Sequence, residues 1–199
     1  MAAEHNGGMA EIVLVRHGQT EWSASGKHTS VTDLPLTETG VRQARALHPA
    51  LARRAFAAVL CSPRLRATHT AELAGLTVTA VDEDLAEWFY GDYEGLTTKE
   101  IWVGNPGWNL FRDGCPGGES PQQVGARIDR VLKRARVALD DGDVALVAHG
   151  HSLRTVTARW LGQPVAAGSR YRLDTATLST LGHEHERPVL TSWNVPPSH

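Results

Sequence analysis

Two apolar runs in this chain end in the same way. Ile12-Val13-Leu14-Val15 leads into Arg16-His17-Gly18, and Val144-Ala145-Leu146-Val147-Ala148 leads into His149-Gly150-His151. Short valine- and leucine-rich runs of this kind read as strands buried on both faces. Strands alternate with helical patterns along the chain, so the sheet should be mainly parallel and flanked by helices. In such a sheet the strand ends deliver their side chains to one carboxyl edge, where open α/β sheets bind ligands. The glycine after each histidine lets the backbone turn sharply or approach a neighbour closely.

The rest of the chain supplies the remaining strands and their helices. Residues 56–61 read as a second buried strand, and Ser62-Pro63 as the cap and first turn of a helix carrying Arg64, Arg66, Thr70 and Leu73. Residues 76–81 read as a third strand. Between the first two strands lies a polar stretch, residues 21–36, expected to be loop. A helix follows, capped by Thr37, with Val41, Ala44, Leu47 and Leu51 at helical spacing. The longest helix is expected over residues 119–139, with Val124, Ile128, Val131, Leu132 and Ala135 on one face. A shorter helix should span residues 152–161, and three short strands residues 170–174, 177–181 and 189–193. Residues 82–118 differ in character: they hold seven of the twelve aromatic residues, broken by glycine and proline. We expect short helices and loops there, covering one side of the active edge as a lid does. Residues 1–10 read as a disordered lead-in and residues 11–195 as a single domain.

Composition excludes several classes of function. With a formal charge of −2 over 199 residues there is no basic field for nucleic acid or an anionic membrane. No run reaches the ~20 apolar residues of a membrane helix. Cys61 and Cys115 fit neither a disulfide framework nor a zinc cluster, so two reduced thiols in a cytoplasmic protein is the reading. Arginine outnumbers lysine 17 to 3, which weakens any single arginine as a signal.

Three strand-to-helix junctions should therefore share one edge. They bring together His17, His149, Arg16 and Arg66, with free N–H groups at the helix starts. A guanidinium binds phosphate oxygens in pairs and stays charged, and helix N-termini add amide donors. An imidazole held there can attack phosphorus and form a phosphohistidine. The arginines and second histidine would stabilise charge on the equatorial oxygens. A leaving alkoxide needs a proton, and Glu87 is placed to give it, flanked by aromatics that should raise its pKa. Nothing in this chemistry requires a metal or a cofactor.

At this point the sequence resembles the histidine phosphatase superfamily, the phosphoglycerate-mutase-like group. The matching motifs are Leu14-Val15-Arg16-His17-Gly18-Gln19-Thr20, Pro35-Leu36-Thr37-Glu38-Thr39-Gly40 and Ser62-Pro63-Arg64-Leu65-Arg66-Ala67 with Thr68-His69-Thr70-Ala71. They continue through residues 87–95, Pro116-Gly117-Gly118-Glu119-Ser120 and Ala148-His149-Gly150-His151-Ser152-Leu153-Arg154. The motifs follow family order over roughly residues 11–182. The resemblance implies a three-layer α/β/α sandwich with a mostly parallel sheet. It makes His17 the phosphorylated nucleophile, Arg16, Arg66 and His149 its phosphate partners, and Glu87 the proton donor. Gln19, Thr20, Gly150 and His151 would lie at the pocket rim, with Trp22, Thr29, Tyr90 and Arg112 as further substrate contacts. A pocket lined in this way suits a small phosphorylated metabolite. The lid stretch resembles small acid-phosphatase and sedoheptulose-bisphosphatase-like members, and its few lysines favour hydrolysis over a mutase. Phosphoglycerate mutase and a non-catalytic phosphate-ligand binding protein are the alternatives. Ser23 and Ser30 depart from the common pattern, where asparagine and glycine are usual. Oligomeric state is open, a homodimer included.

Competing readings attach to the other singled-out residues. Glu83, Asp84 and Glu94 are rivals of Glu87. Arg64 reads as rim or exposed, Arg154 equally as a helix salt bridge or a ligand contact, and His28 equally as a solvated loop residue or a substrate contact. His69 reads as a helix-face residue. Trp102 and Trp108 read as core, Cys115 as a packed thiol, and His183-Glu184-His185-Glu186 as a turn rather than a metal tract.

Overall fold

A computed structural model describes residues 9–197. The expected disordered lead-in falls on residues 1–8, outside the described residues, and on residues 9 and 10, which are irregular. The chain runs β1 (Ile12–Arg16), α1 (Glu21–Ser25), α2 (Glu38–Ala46), α3 (His48–Leu51), β2 (Phe56–Cys61), α4 (Leu65–Leu73) and β3 (Ala80–Val81). It continues through α5 (Thr98–Gly104), α6 (Leu110–Asp113), α7 (Pro121–Ala138), β4 (Asp143–Ala148), α8 (Gly150–Trp160), β5 (Leu178–Glu184) and β6 (Arg187–Val195).

The strands form one sheet in the order β3-β2-β4-β1-β5-β6. The first four run parallel, and β5 and β6 join antiparallel at one edge. β1 and β4 lie side by side with Val15 opposite Val147 and Arg16 opposite Ala148. That register is what sets the two strand-end histidines next to each other.

Alternation along the central strands builds the three layers. Ile12, Leu14, Val144 and Leu146 face α7 and α8, where Ile128, Val131, Leu132, Leu153 and Trp160 close the core. Val13, Val15, Ala145 and Val147 face the other way, onto Leu47 between α2 and α3, Leu51 of α3, and Ala67 and Ala71 of α4. Each fully buried leucine or isoleucine contributes about 1.5–3 kcal/mol by leaving water. The three-layer α/β/α sandwich with a mostly parallel sheet is therefore as expected.

Several local expectations are corrected. The polar stretch 21–36 opens with α1, a single capped turn in which Thr20 accepts from Ser23 N. The helix after β2 begins at Leu65 rather than at Pro63, because Arg64 is still extended and takes the N-cap position in place of Ser62. Residues 76–81 pair with β2 only at Ala80 and Val81, the last two of the six. Residues 170–174 are not a strand: a 3-10 turn ends at Arg170 and the chain continues irregularly to β5. Pro49 separates α3 from α2.

Residues 82–118 fold as 3-10 turns and short helices over the α7–α8 layer. Trp88, Tyr90, Trp108 and Phe111 join the main core, whereas Trp102 stays about half exposed, so only one of the two tryptophans read as core is core. Among the described residues no helix is long and apolar enough to cross a membrane.

Candidate active site

The end of β1 is fixed from every side by backbone bonds. His17 N donates to Ala148 O at 3.0 Å, and Ala176 N reaches both Arg16 O and His17 O. Gly18 N donates to Thr70 Oγ1 at 3.0 Å, and that hydroxyl donates to Arg66 O at 2.6 Å. The glycine is needed here for close approach: a Cβ on Gly18 would stand 2.5 Å from Gly40 O in the first turn of α2. A Cβ on Gly150 would likewise press on the Arg16 guanidinium at 3.3 Å.

Hydrogen-bond logic fixes the state of the imidazoles. His17 Nδ1 lies 2.7 Å from Gly18 O, and a carbonyl can only accept, so Nδ1 carries the proton. Nε2 keeps its lone pair and has no partner among the described residues. Burial pushes the His17 pKa well below its usual value, and the Arg66 and Arg16 charges push it the same way. His149 is tied at both nitrogens: Arg66 Nε donates to Nδ1 at 3.2 Å, so Nε2–H donates to Ser62 Oγ at 2.6 Å. Burial, then Arg66, lowers its pKa too. The two rings meet edge to face with centroids 5.1 Å apart.

Two arginines stand beside them without a close carboxylate. Arg66 is 1% exposed and donates to Thr29 O, Ser30 O and Thr32 O at 3.1–3.3 Å. Its nearest acid, Asp33, is 3.9 Å away. Arg16 donates through Nη1 to Leu173 O, and its Nε is buried without a hydrogen-bond partner. An orphaned buried donor is costly and calls for an acceptor.

Glu87 faces this group from the N-terminus of α8. Its Oε1 accepts from Trp88 N at 2.8 Å and Ser152 N at 2.9 Å, and Oε2 accepts from His151 N at 3.0 Å. The sequence suggested aromatic faces around the carboxyl. Trp88 instead turns into the core, Phe89 is 40% exposed, and backbone N–H groups meet the oxygens. The rival acids are engaged elsewhere: Asp84 pairs with Arg130 and Arg134, and Glu94 accepts from Ser30 N and Thr32 N.

A cavity of about 260 Å³ opens above His17. Arg16, His17, Thr20, Thr29, Glu87, Tyr90, Gly150 and His151 line it, while Arg66 and His149 sit behind its wall. Three expected contacts do not line it. Gln19 turns toward α2, where its Oε1 accepts from Thr37 Oγ1. Trp22 packs under Lys27 and against Gly95. Arg112 pairs with its neighbour Asp113 and with Gly107 O, its side chain 65% exposed, and lines a separate cleft.

Lys27, His28 and Arg154 line the cavity as well. His28 is buried, not solvated. Arg154 makes no salt bridge among the described residues: it donates to Gly168 O and Ser169 O and lies over the Phe111 ring at 4.6 Å. Burial lowers its pKa to about 10. Its place in the HGHSLR motif, one turn past Gly150, was the signal that could have found it. Lys27 had no such signal, because its position depends on an antiparallel bridge to Thr97.

The remaining singled-out groups lie outside the site. His183 to Glu186 form the β5–β6 hairpin end, with His185 and Glu186 at positive φ. Among the described residues no three His, Cys, Asp or Glu side chains gather as a metal site. Burial pushes both the Cys61 and Cys115 thiols up to about 12.

A neutral strand-end imidazole with a free nitrogen, two arginines and an amide-held carboxylate meet at one edge of an α/β/α sandwich, an arrangement able to transfer a phosphoryl group. Residues 12–196 match the histidine phosphatase superfamily (branch 1), and the chain belongs to it. It is 45% identical over 176 residues to the acid phosphatase of Mycobacterium tuberculosis, covering 87% of each chain. It is 39% identical over 181 residues to the sedoheptulose 1,7-bisphosphatase of Saccharomyces cerevisiae, covering 75% of this chain and 67% of that one. The solved structure of a Mycobacterium tuberculosis open reading frame product superposes with a TM-score of 0.93 at 42% identity, over 95% of this chain and 99% of that one.

Proposed function

We propose that the chain is a metal-independent phosphomonoesterase acting on a small phosphorylated metabolite of the sugar-phosphate kind, through a phosphohistidine on His17. The observation that carries this reading is the locked His17 tautomer, which aims an unprotonated Nε2 into a cavity bordered by arginines. Nε2 attacks phosphorus; the N–P bond forms as the ester P–O bond breaks, and the leaving oxygen takes a proton from the Glu87 carboxyl. The Glu87 carboxylate then takes a proton from water, whose oxygen attacks phosphorus. The N–P electron pair returns to Nε2 and inorganic phosphate leaves. Arg16 and Arg66 stabilise the equatorial oxygens, with His149 holding Arg66.

The acid phosphatase and the bisphosphatase among its relatives support hydrolysis of a small ester. Lys27 and Arg154, whose partners are an aromatic ring and backbone carbonyls, favour a substrate with a second anionic group. Phosphoglycerate mutase activity is the competing reading of such a site, and dependence on added bisphosphoglycerate would distinguish it. We read residues 82–118 as the lid of one domain spanning residues 11–195. Two unpaired thiols support a cytoplasmic setting.

The test is phosphate release from an aryl phosphate with and without chelator, and acid quenching to trap a phosphoenzyme. Turnover should survive the chelator and yield to vanadate, and the trapped phosphate should be acid-labile and map to His17. Turnover surviving in His17→Ala sinks the reading.

A further inference from the structure

Most charged groups facing the cavity are cations, offering donors to an anion. Glu87 and the neutral rings of His17 and His28 are the exceptions, and His28 is the one that the phosphoryl chemistry leaves unused. Its Nδ1 lies 2.7 Å from Leu96 O, so that nitrogen must carry the proton. The backbone is tied to the same segment: His28 N donates to Leu96 O at 2.9 Å, and Gly95 N donates to His28 O at 2.8 Å. The ring is walled by Tyr90 and Trp108, with centroids 4.8 and 5.5 Å away, and lies nearly parallel to His151 at 5.9 Å. These contacts prevent it from turning over. The Tyr90 hydroxyl, 2.6 Å from His151 Nδ1, is already engaged. His28 Nε2 is therefore a bare acceptor in a ring that lines the cavity, with no partner among the described residues.

Such an atom rejects phosphoryl and carboxylate oxygens, which are acceptors themselves. It matches a hydroxyl hydrogen. We propose that His28 is a specificity residue whose Nε2 accepts a hydrogen bond from a hydroxyl of the leaving alcohol, so that polyol phosphates are preferred over phosphate esters of plain alcohols. The inference rests on the phosphatase reading and deepens it by naming the substrate class. A site that must leave a buried polar group unpaired discriminates against the analogue lacking the hydroxyl.

The experiment compares kcat/KM for glycerol phosphate and propyl phosphate, which share a carbon skeleton. Wild type should favour the polyol ester by about tenfold or more, the scale of one buried hydrogen bond. His28→Phe keeps the ring and its aromatic contacts but removes the acceptor, and should bring the ratio close to one. His28→Gln restores an acceptor oxygen near Nε2 and should recover part of the preference. A wild-type ratio near one overturns the proposal. So does a His28→Phe variant that slows both esters by the same factor, since that marks a structural role alone. If His28→Phe does not fold, an undiminished ratio in His28→Gln together with the same ratio in His28→Ala overturns it. Failure of wild type to release phosphate from either ester or from an aryl phosphate defeats the phosphatase reading itself, and this inference with it.

Discussion

His17 and His28 are held in the same state by different means. Each ring has Nδ1 2.7 Å from a backbone carbonyl, each is buried, and burial depresses the pKa of each. His17 gets its place from a strand: β1 is hydrogen-bonded on both sides, and its last residues have no freedom left. His28 gets its place from two loop segments bonded to each other, residues 27–29 and 95–97, rather than from a sheet. A nucleophile needs a position fixed to a fraction of an ångström, and a sheet supplies it. A substrate contact can sit on a loop, and loops are where relatives on one scaffold diverge. Arg66 joins the two regions: one nitrogen holds His149 beside His17, and two others hold the carbonyls of Thr29, Ser30 and Thr32 beside His28.

The largest effect expected from breaking this comparison is at the strand end. His17→Ala should lower kcat by at least about 10⁴-fold, as losing a covalent nucleophile does, and leave no trappable phosphoenzyme. Single-turnover assays check it; a loss of tenfold or less would make His17 no more central than His28. Next comes the residue that links them. Arg66→Met should lower kcat/KM by about 10²–10³-fold, the scale of one oxyanion donor. It should also expose residues 29–32 to limited proteolysis. An intact loop in that variant would mean the two regions are fixed independently.

The smallest effect is on stability against pH, and it asks whether His28 really shares the state of His17. His17, His28, His149 and His151 all have folded pKa values below the ordinary 6.5, with burial as the largest cause. As pH falls below about 6.5 the unfolded chain takes protons that the folded chain refuses. Stability should therefore be intact above that value and decline below it until the folded pKa values are reached. Each histidine contributes up to about 1.4 kcal/mol per pH unit. Urea unfolding at pH 7.5, 6.5 and 5.5 measures the slope, and His28→Phe should flatten it. An unchanged slope would mean that His28 takes up its proton as readily in the folded chain as in the unfolded one.

What could be read in advance follows the same division. The strand ends at His17 and His149 were legible because buried runs, glycine and helix caps are local signals. Glu87 was found from its place after the third run, but the backbone N–H groups that hold it were not: two of them belong to α8, 64 and 65 residues away. Arg112 was misplaced because its partner is the adjacent Asp113, which draws it to the surface. Trp22 was misplaced because α1 turns it under Lys27 rather than toward the cavity. The helix start slipped by two residues, from Pro63 to Leu65, because the Ser62 hydroxyl, the expected cap, meets His149.

The sequence by itself determined the central buried strands, the flanking layers and the placing of a histidine at two strand ends, because hydrophobic period and turn residues act over a few positions. Only the tertiary structure decided which nitrogen of each imidazole is free, that Arg154 has no acidic partner, and that His28 belongs to the cavity. Those depend on carbonyls and side chains brought from distant segments, such as Leu96 to His28 across 68 residues, and no local pattern encodes that pairing.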